Sequence, residues 1–382
     1  RTPHQQHQRN ANMLPRSPSI LLLTILGWAG VLSVWAEDLL PSYGDLPLSA
    51  DIGSLDDECS VSDGGCASSF VQLRANLHSD DHAASEARQV RSNRRRRGGS
   101  KPASGSIPQT LAGVVEHLWS VDAPYRLEPG NGYQLHQTAM QSTGSRSLGA
   151  LFQYVDEAKL RQMPCTASFL ALLDNFERET DKQETETSQE RSEVSRFMEE
   201  LMATPHMKYA YDVLKDWKSI SSDYTAFGAQ IKKIWMTQYS LGRGPIASSG
   251  FEHVFVGEEK YDKKSQKDTI TGLHNWIQFW HEEKAHHIEY LGSKSQSGTH
   301  LVSARFEWKD DDPEKEYKSI STMLVGSSVP FEMAMLSVAF ISFGGEAKVP
   351  GIYFGNEGPA QIVSYSWDSH GETFVRTAYL EA

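Results

Sequence analysis

The sequence predicts an α+β protein, a helical N-terminal half packed on a C-terminal mixed α/β region with antiparallel sheets. Three observations carry this reading. Apolar residues recur at helical spacing between Leu151 and Leu241, the pattern changes after Gly250, and residues 37 to about 106 show no sustained period. With 382 residues, 39% hydrophobic, and nine tryptophans, the chain has material for one large domain or two ordinary ones.

Residues 13–36 read as a signal peptide. Met13-Leu14-Pro15-Arg16 supplies a basic start, Ile20 to Leu32 an apolar run, and Val34-Trp35-Ala36 a cleavage site ahead of Glu37. Met13 is taken as the true start and residues 1–12 as upstream sequence. The apolar run is shorter than the ~20 residues a spanning helix needs. The expectation is therefore a secreted or lumenal protein with no stable membrane association after cleavage. Residues 37–106 are rich in Ser, Asp, Ala, Gly and Arg and read as a pro-segment or linker. Within them Arg94-Arg95-Arg96-Arg97 is a processing site, an RNA-attracting arm or a solvated charge cluster. Cys59 and Cys66 are a candidate disulfide in an oxidising compartment, and Cys165 reads as a buried thiol.

The folded domain is expected over 107–382. Leu111 to Trp119 has helical spacing, and Pro129-Gly130-Asn131-Gly132 is a turn. Phe169, Leu172, Leu173 and Phe176 mark one helical face. Thr187-x-x-Glu190 is a capping box ahead of Val194, Phe197, Met198 and Leu201, and Pro205 closes that helix. Two further helices run through Tyr211-Leu214-Trp217 and Phe227-Ile231-Ile234. Beyond Gly250, Phe251 to Gly257 reads as a short strand, and Trp276, Ile277 and Trp280 as the core face of a helix. Val302, Ala304, Phe306 and Trp308 alternate as a half-buried strand. Ser319–Val325 is another strand, Phe331–Phe340 an apolar helix, and Ile362–Trp367 and Thr373–Leu380 two closing strands.

The formal charge of −12 is the wrong sign for a protein that coats nucleic acid, although it leaves room for a local basic site. Several chemistries lack their motif. There is no zinc spacing among the three cysteines, no Gly-x-Ser-x-Gly elbow and no phosphate-binding glycine loop. His281-Glu282-Glu283-Lys284-Ala285-His286 misses the zinc-protease pattern because Ala285 stands at the second ligand position. What remains is a pair of histidines, His253 and His274, 21 residues apart, in Phe251-Glu252-His253-Val254-Phe255-Val256-Gly257-Glu258 and Gly272-Leu273-His274-Asn275-Trp276. Histidine titrates near neutrality, so two of them form a general acid–base pair without a metal. On a strand, Glu252 and Glu258 would share one face while His253 points to the other.

These two segments closely resemble the paired signatures of the EndoU family, the uridylate-preferring endoribonucleases. The likeness runs from about Leu111 to Ala382 and includes Tyr154-Val155-Asp156-Glu157, Ala171 to Glu179 and Ala203-Thr204-Pro205. It implies an EndoU-type catalytic region that cuts single-stranded RNA at uridylates, and not DNA. The products would be a 2′,3′-cyclic phosphate and a 5′-hydroxyl. Tyr317 to Ser328 resembles the segment carrying the family's lysine, which makes Lys318 the third catalytic residue, facing the phosphorane. The resemblance also assigns substrate binding to Thr322, Thr377 and Tyr379, and stimulation to Mn²⁺, with Glu252 and Glu258 as metal ligands or site-orienting groups. Two departures stand out: a long lysine-rich loop, Glu259 to Thr271, and a proline moved one place in Ser328-Val329-Pro330-Phe331-Glu332, which bears on where that helix starts. The rival reading is a secreted RNA-binding or interaction protein with a silent nuclease domain. Oligomeric state is not legible.

Overall fold

The computed structural model describes residues 106–136, 148–262, 266–297, 299–309 and 316–382. The signal peptide, nearly all of the 37–106 segment, Cys59, Cys66 and Arg94–Arg97 lie outside them. Helix α1 (Leu111–Asp122) starts where the Thr110 side chain accepts the Gly113 N–H, and it buries Leu111, Val114, Val115, Leu118 and Trp119. A small antiparallel pair follows, β1 (Tyr133–Leu135) with β2 (Phe152–Val155). After the short helices α2 (Glu157–Leu160) and α3 (Thr166–Leu170) come α4 (Ser188–Ala203), α5 (Pro205–Asp216) and α6 (Tyr224–Met236). The Thr187–Glu190 capping box is present on α4, and Thr204 caps α5 with Pro205 in its first turn.

The helix expected through Phe176 stops at Leu170. Beyond it, i→i+3 bonds from Leu172 N–H to Phe169 O and from Asn175 N–H to Leu172 O make successive turns. Tight turns repeat the apolar side nearly as a helix does, so the period alone could not separate them.

A two-stranded ribbon, β3 (Tyr239–Ser240) with β4 (Ile246–Ser248), leads into the second half. There, β5 (Glu258–Asp262) and β6 (Lys267–Thr271) form an antiparallel hairpin, where a long loop was expected. Helix α7 (Trp276–Lys284) is followed by β7 (Ile288–Ser297), β8 (Leu301–Trp308) and β9 (Glu316–Leu324). The five strands assemble in the order β5-β6-β9-β8-β7, antiparallel except for the parallel β6–β9 pairing. Helix α8 (Val329–Ser342) is buried on nearly every face. Ser328 caps it and Pro330 sits in its first turn, where a missing N–H costs nothing, so the shifted proline is compatible with the helix start. Strands β10 (Ala347–Phe354), β11 (Glu357–Ser369) and β12 (Glu372–Glu381) close the fold as an antiparallel meander. Trp276 and Ile277 are fully buried, as their spacing predicts, and Cys165 is a buried free thiol pushed up to about 12 by burial. Among the described residues no helix is long and apolar enough to cross a membrane.

Candidate active site

Between β4 and β5 the chain makes a single π-helical turn, Glu252–Val256, closed by Gly257 N–H to Glu252 O at 2.8 Å. This corrects the strand expected here. Phe251, Val254 and Phe255 stand at i, i+3 and i+4, a helical set, and they bury fully, with Phe251 and Phe255 stacked at 5.1 Å. Such one-turn widenings concentrate at functional sites. The turn also undoes the expected separation of His253 from Glu258. The Gly257 backbone, at φ +97°, sends β5 back beneath the turn, and Glu258 Oε2 comes to 2.7 Å from His253 Nδ1.

Glu258 is wholly buried and its oxygens are engaged from several elements. The Ser248 hydroxyl on β4 donates to Oε1, Thr271 on β6 lies 3.5 Å from Oε2, and Arg376 Nη1 on β12 lies 3.4 Å from Oε2 and 3.0 Å from His253 Nδ1. Burial alone would raise this carboxyl. The charges of His253 and Arg376, with hydrogen bonds from His253 and Ser248, outweigh it and bring Glu258 down to about 2. Glu252 has the opposite fate. Burial, then the charges of Glu258 and Glu184, push it well above the carboxylate range, and among the described residues neither of its buried oxygens has a hydrogen-bond partner.

The second histidine is delivered by backbone. Leu273 N–H donates to His253 O at 2.9 Å and His274 N–H to Val254 O at 2.7 Å, so the two segments are tied main chain to main chain. Gly272 makes this approach possible: it sits at φ +67°, and a Cβ there would lie 1.7 Å from the His253 carbonyl oxygen. Asn275 then caps α7, its side chain accepting the Ile277 and Gln278 N–H groups. The His274 ring stacks on Tyr379 of β12 at 4.8 Å and 14°, with Nδ1 3.4 Å from the Thr322 carbonyl and from the Ser321 hydroxyl of β9. Lys318 is buried on the same strand. A bulge between Lys318 and Ser321 pairs them with Phe306 and Ala304, two apart on β8, so both occupy one face. Thr322 falls on the other face, its hydroxyl 2.8 Å from Ser303 Oγ. Thr377 is buried on β12, opposite Tyr365. Thus π turn, hairpin, helix cap, β9 and β12 bring His253, His274, Glu258, Tyr379 and the Ser321–Thr322 segment into one connected cluster.

The family model "Endoribonuclease XendoU" matches residues 110–380. The chain belongs to the XendoU endoribonuclease family. Its similarity to curated members is moderate and extended. It is 33% identical to a uridylate-specific endoribonuclease C of Danio rerio, over 63% of this chain and 79% of that one. It is 34% identical to a poly(U)-specific endoribonuclease of Xenopus tropicalis, over 61% and 81%. The solved structure of XendoU, described as a splicing-independent snoRNA-processing endoribonuclease, superposes with a TM-score of 0.58 at 29% identity, over 72% of this chain and 98% of that one. The mixed α/β architecture with antiparallel sheets is therefore that of the XendoU fold.

As a metal centre the two glutamates of this XendoU-family chain fit poorly. Glu258 is committed to Ser248, His253 and a guanidinium, which repels a dication, and Glu252 lies wholly buried beside it. Among the described residues no group of three or more His, Cys, Asp or Glu side chains could hold a metal ion. The contact Glu258 does make is the 2.7 Å one to His253 Nδ1.

Arg376 is a site residue that sequence reasoning passed over, and Ser248 and Gly272, which lie in the two histidine segments, gain a role only from the structure. The signal for Arg376 was present: a lone cation in the closing strand Phe374-Val375-Arg376-Thr377-Ala378, whose neighbours are buried. Charged side chains are almost never fully buried unless paired.

Proposed function

We propose that this protein is an endoribonuclease that cleaves single-stranded RNA at uridylates by transesterification from the 2′-OH, leaving a 2′,3′-cyclic phosphate and a 5′-hydroxyl. The observation that carries the proposal is the main-chain coupling of His253 to His274, with Glu258 ionised against His253 Nδ1. The attack needs a proton removed from the 2′-OH and one returned to the leaving 5′-oxygen, and two positioned imidazoles do both. Lys318 supplies the cation that offsets charge developing on the non-bridging oxygens. The helical segment from α1 to α6 serves as the scaffold against which this catalytic region packs. Thr322 and Thr377 are assigned to uracil recognition. Tyr379 braces His274, so its effect on nucleotide stacking comes through the same ring. DNA lacks the nucleophile and is excluded as a substrate. No step is assigned to Mn²⁺, whose ligation Glu252 and Glu258 do not support. The leader pattern of residues 13–36 supports a secreted or lumenal location.

The test is turnover of a fluorogenic oligonucleotide with a single uridine, with ends mapped. Cyclic-phosphate ends at uridine, and no cleavage at 2′-deoxyuridine, are expected. Cleavage of the deoxy substrate would require a water nucleophile and overturn the mechanism.

A further inference from the structure

The strands that hold Glu258 continue outward from the site. β5 and β6 pair in unbroken register from Glu258–Thr271 through Lys260–Thr269 to Asp262–Lys267, and β6 pairs with β9 at Thr269–Tyr317. Paired residues share a face and every second residue returns to it. Glu258, Thr271, Lys260, Thr269 and Tyr317 therefore lie on one face of the five-stranded sheet. The pairing of β9 with β8 adds Thr322 with Ser303, and Glu307 with Tyr317, to the same face. Burial falls off along it: Glu258 is wholly buried and Thr322 nearly so, Lys260 and Thr269 are half-buried, and Tyr317 is 45% exposed. The other exposed aromatic side chains among the described residues are Tyr154, Tyr261, Phe343 and Tyr353. Tyr261 pairs with Asp268 on the opposite face of the hairpin, and the remaining three belong to other elements. Tyr317 is thus the exposed ring on the face that leads out of the site.

We propose that Tyr317 and Lys260 form a subsite for the single-stranded RNA that flanks the cleaved uridine, with a flanking base stacked on the Tyr317 ring and a phosphate held by Lys260. This deepens the endoribonuclease reading and rests on it for the position of the cut. The spacing suits a continuous strand. Glu307 and Ser303, the partners of Tyr317 and Thr322, are four residues apart on β8, about 13 Å at ~3.3 Å per residue. Bases along one strand rise by at least ~3.4 Å each, so a base on Tyr317 is no more than about four nucleotides from one read at Thr322. Lys260 stands two strands from Tyr317 in the same row, about 10 Å at ~4.8 Å per strand. The Thr269 hydroxyl between them donates to Lys260 O at 3.1 Å and ties the row together.

The chemistry of the row selects this occupant. An exposed phenol ring offers a π-face to any base, so it adds affinity without choosing sequence. An ammonium on a flexible stem suits a phosphate as a point charge. Glu307 is the acid on the β8 side of Tyr317, so the cation of the row lies on the hairpin side and the backbone of the strand runs there. Lys318, one residue beyond Tyr317, points to the other face of β9. Removing the Tyr317 ring therefore leaves the surroundings of the reacting lysine in place, and its effect is confined to RNA long enough to reach it.

The experiment compares wild type with Tyr317→Ala, Tyr317→Phe and Lys260→Gln by two readouts. The first is the fluorescence anisotropy of a labelled single-stranded nonamer, adenosines around one 2′-deoxyuridine, which reports binding without cleavage. The second is kcat/KM on the matching uridine nonamer and on the p-nitrophenyl ester of uridine 3′-phosphate, which has no flanking base. Tyr317→Ala is expected to weaken nonamer binding by on the order of 10-fold and to lower kcat/KM on the uridine nonamer by the same factor, with the ester unaffected. Tyr317→Phe, which keeps the π-face, should match wild type on both. Lys260→Gln should flatten the slope of log Kd against log salt by about 0.7, the share of one phosphate on a single strand. A folded Tyr317→Ala that binds the nonamer as wild type does, or that loses as much on the ester as on the nonamer, overturns the inference. An unchanged salt slope in Lys260→Gln overturns it as well, and decides alone should Tyr317→Ala not fold. A wild type that binds the nonamer through Tyr317 yet cuts no uridine RNA removes the endoribonuclease reading and leaves the subsite standing.

Discussion

Replacing Gly272 by alanine tests whether the two histidines are held together by backbone. The added Cβ would sit 1.7 Å from the His253 carbonyl oxygen, whereas ordinary contact begins at 3.4 Å, so the two segments must part by about that difference. The neighbour is main chain, which cannot rotate away as a side-chain tip would. Holding a non-glycine residue at φ +67° costs roughly 1–2 kcal/mol. The Leu273-to-His253 and His274-to-Val254 hydrogen bonds are the ones broken, at about 0.5–1.5 kcal/mol each. The total destabilisation is about 2–5 kcal/mol. Since a misplacement of ~1 Å can cost on the order of 10²-fold in rate, kcat/KM should fall by at least that factor even where the variant remains folded. Urea unfolding and oligonucleotide turnover measure the two effects. Gly371→Ala is the control: φ is +78° there but no atom lies within 4 Å of the new Cβ, so only the conformational cost should appear. A Gly272→Ala protein with wild-type turnover would show that this crossing does not position the site.

Three further expectations concern the site residues and the elements that hold them. His253→Ala, His274→Ala and Lys318→Ala should each lower turnover by roughly 10²–10⁴-fold; His253→Ala should also lower the melting temperature, because it strips the buried Glu258 of its 2.7 Å partner, and an unchanged Tm would mean that Glu258 finds another. Glu332, buried beside Ser327 and Asn275, is raised from 4.5 to about 8 by burial, so its contribution to stability is fully present below pH 4.5 and lost as pH rises through about 8. Glu332→Gln should therefore gain stability over wild type progressively between those limits, and parallel pH–stability curves would refute the assignment. Finally, Thr322→Val removes the hydroxyl bonded to Ser303 and should narrow the rate gap between uridine and cytidine sites, an unchanged ratio moving the reading of uracil to Thr377.

What the sequence made legible was the regular part of the fold and the identity of the reactive groups. The α4 capping box, the β8 alternation and the apolar run of α8 each follow one period that local physics enforces. The geometry of the site follows none. At Phe251–Val256 a helical triplet of apolar residues also alternates well enough to pass for a strand, and a five-residue π turn is too short for periodicity to arbitrate. The bulges at Lys318–Ser321 and at Arg376 are single-residue insertions in pairing, which depend on the partner strand and leave no mark on the strand's own sequence. Gly272 opens the second histidine's segment, but the reason for it, a carbonyl oxygen arriving from nineteen residues upstream, exists only in three dimensions.

The position of β12 sets a sequence of events during synthesis. His253, His274 and Lys318 leave the ribosome well before Arg376, Thr377 and Tyr379, and Arg376 trails His253 by 123 residues. A chain halted at the end of β11 would carry all three reacting side chains, with Glu258 unneutralised and the ring of His274 unsupported. The chain would thus stay incomplete in its chemistry until the last described strand docks. Released chains ending at Ser369 and at Glu381, assayed with the uridine oligonucleotide, would show whether activity arrives with that strand.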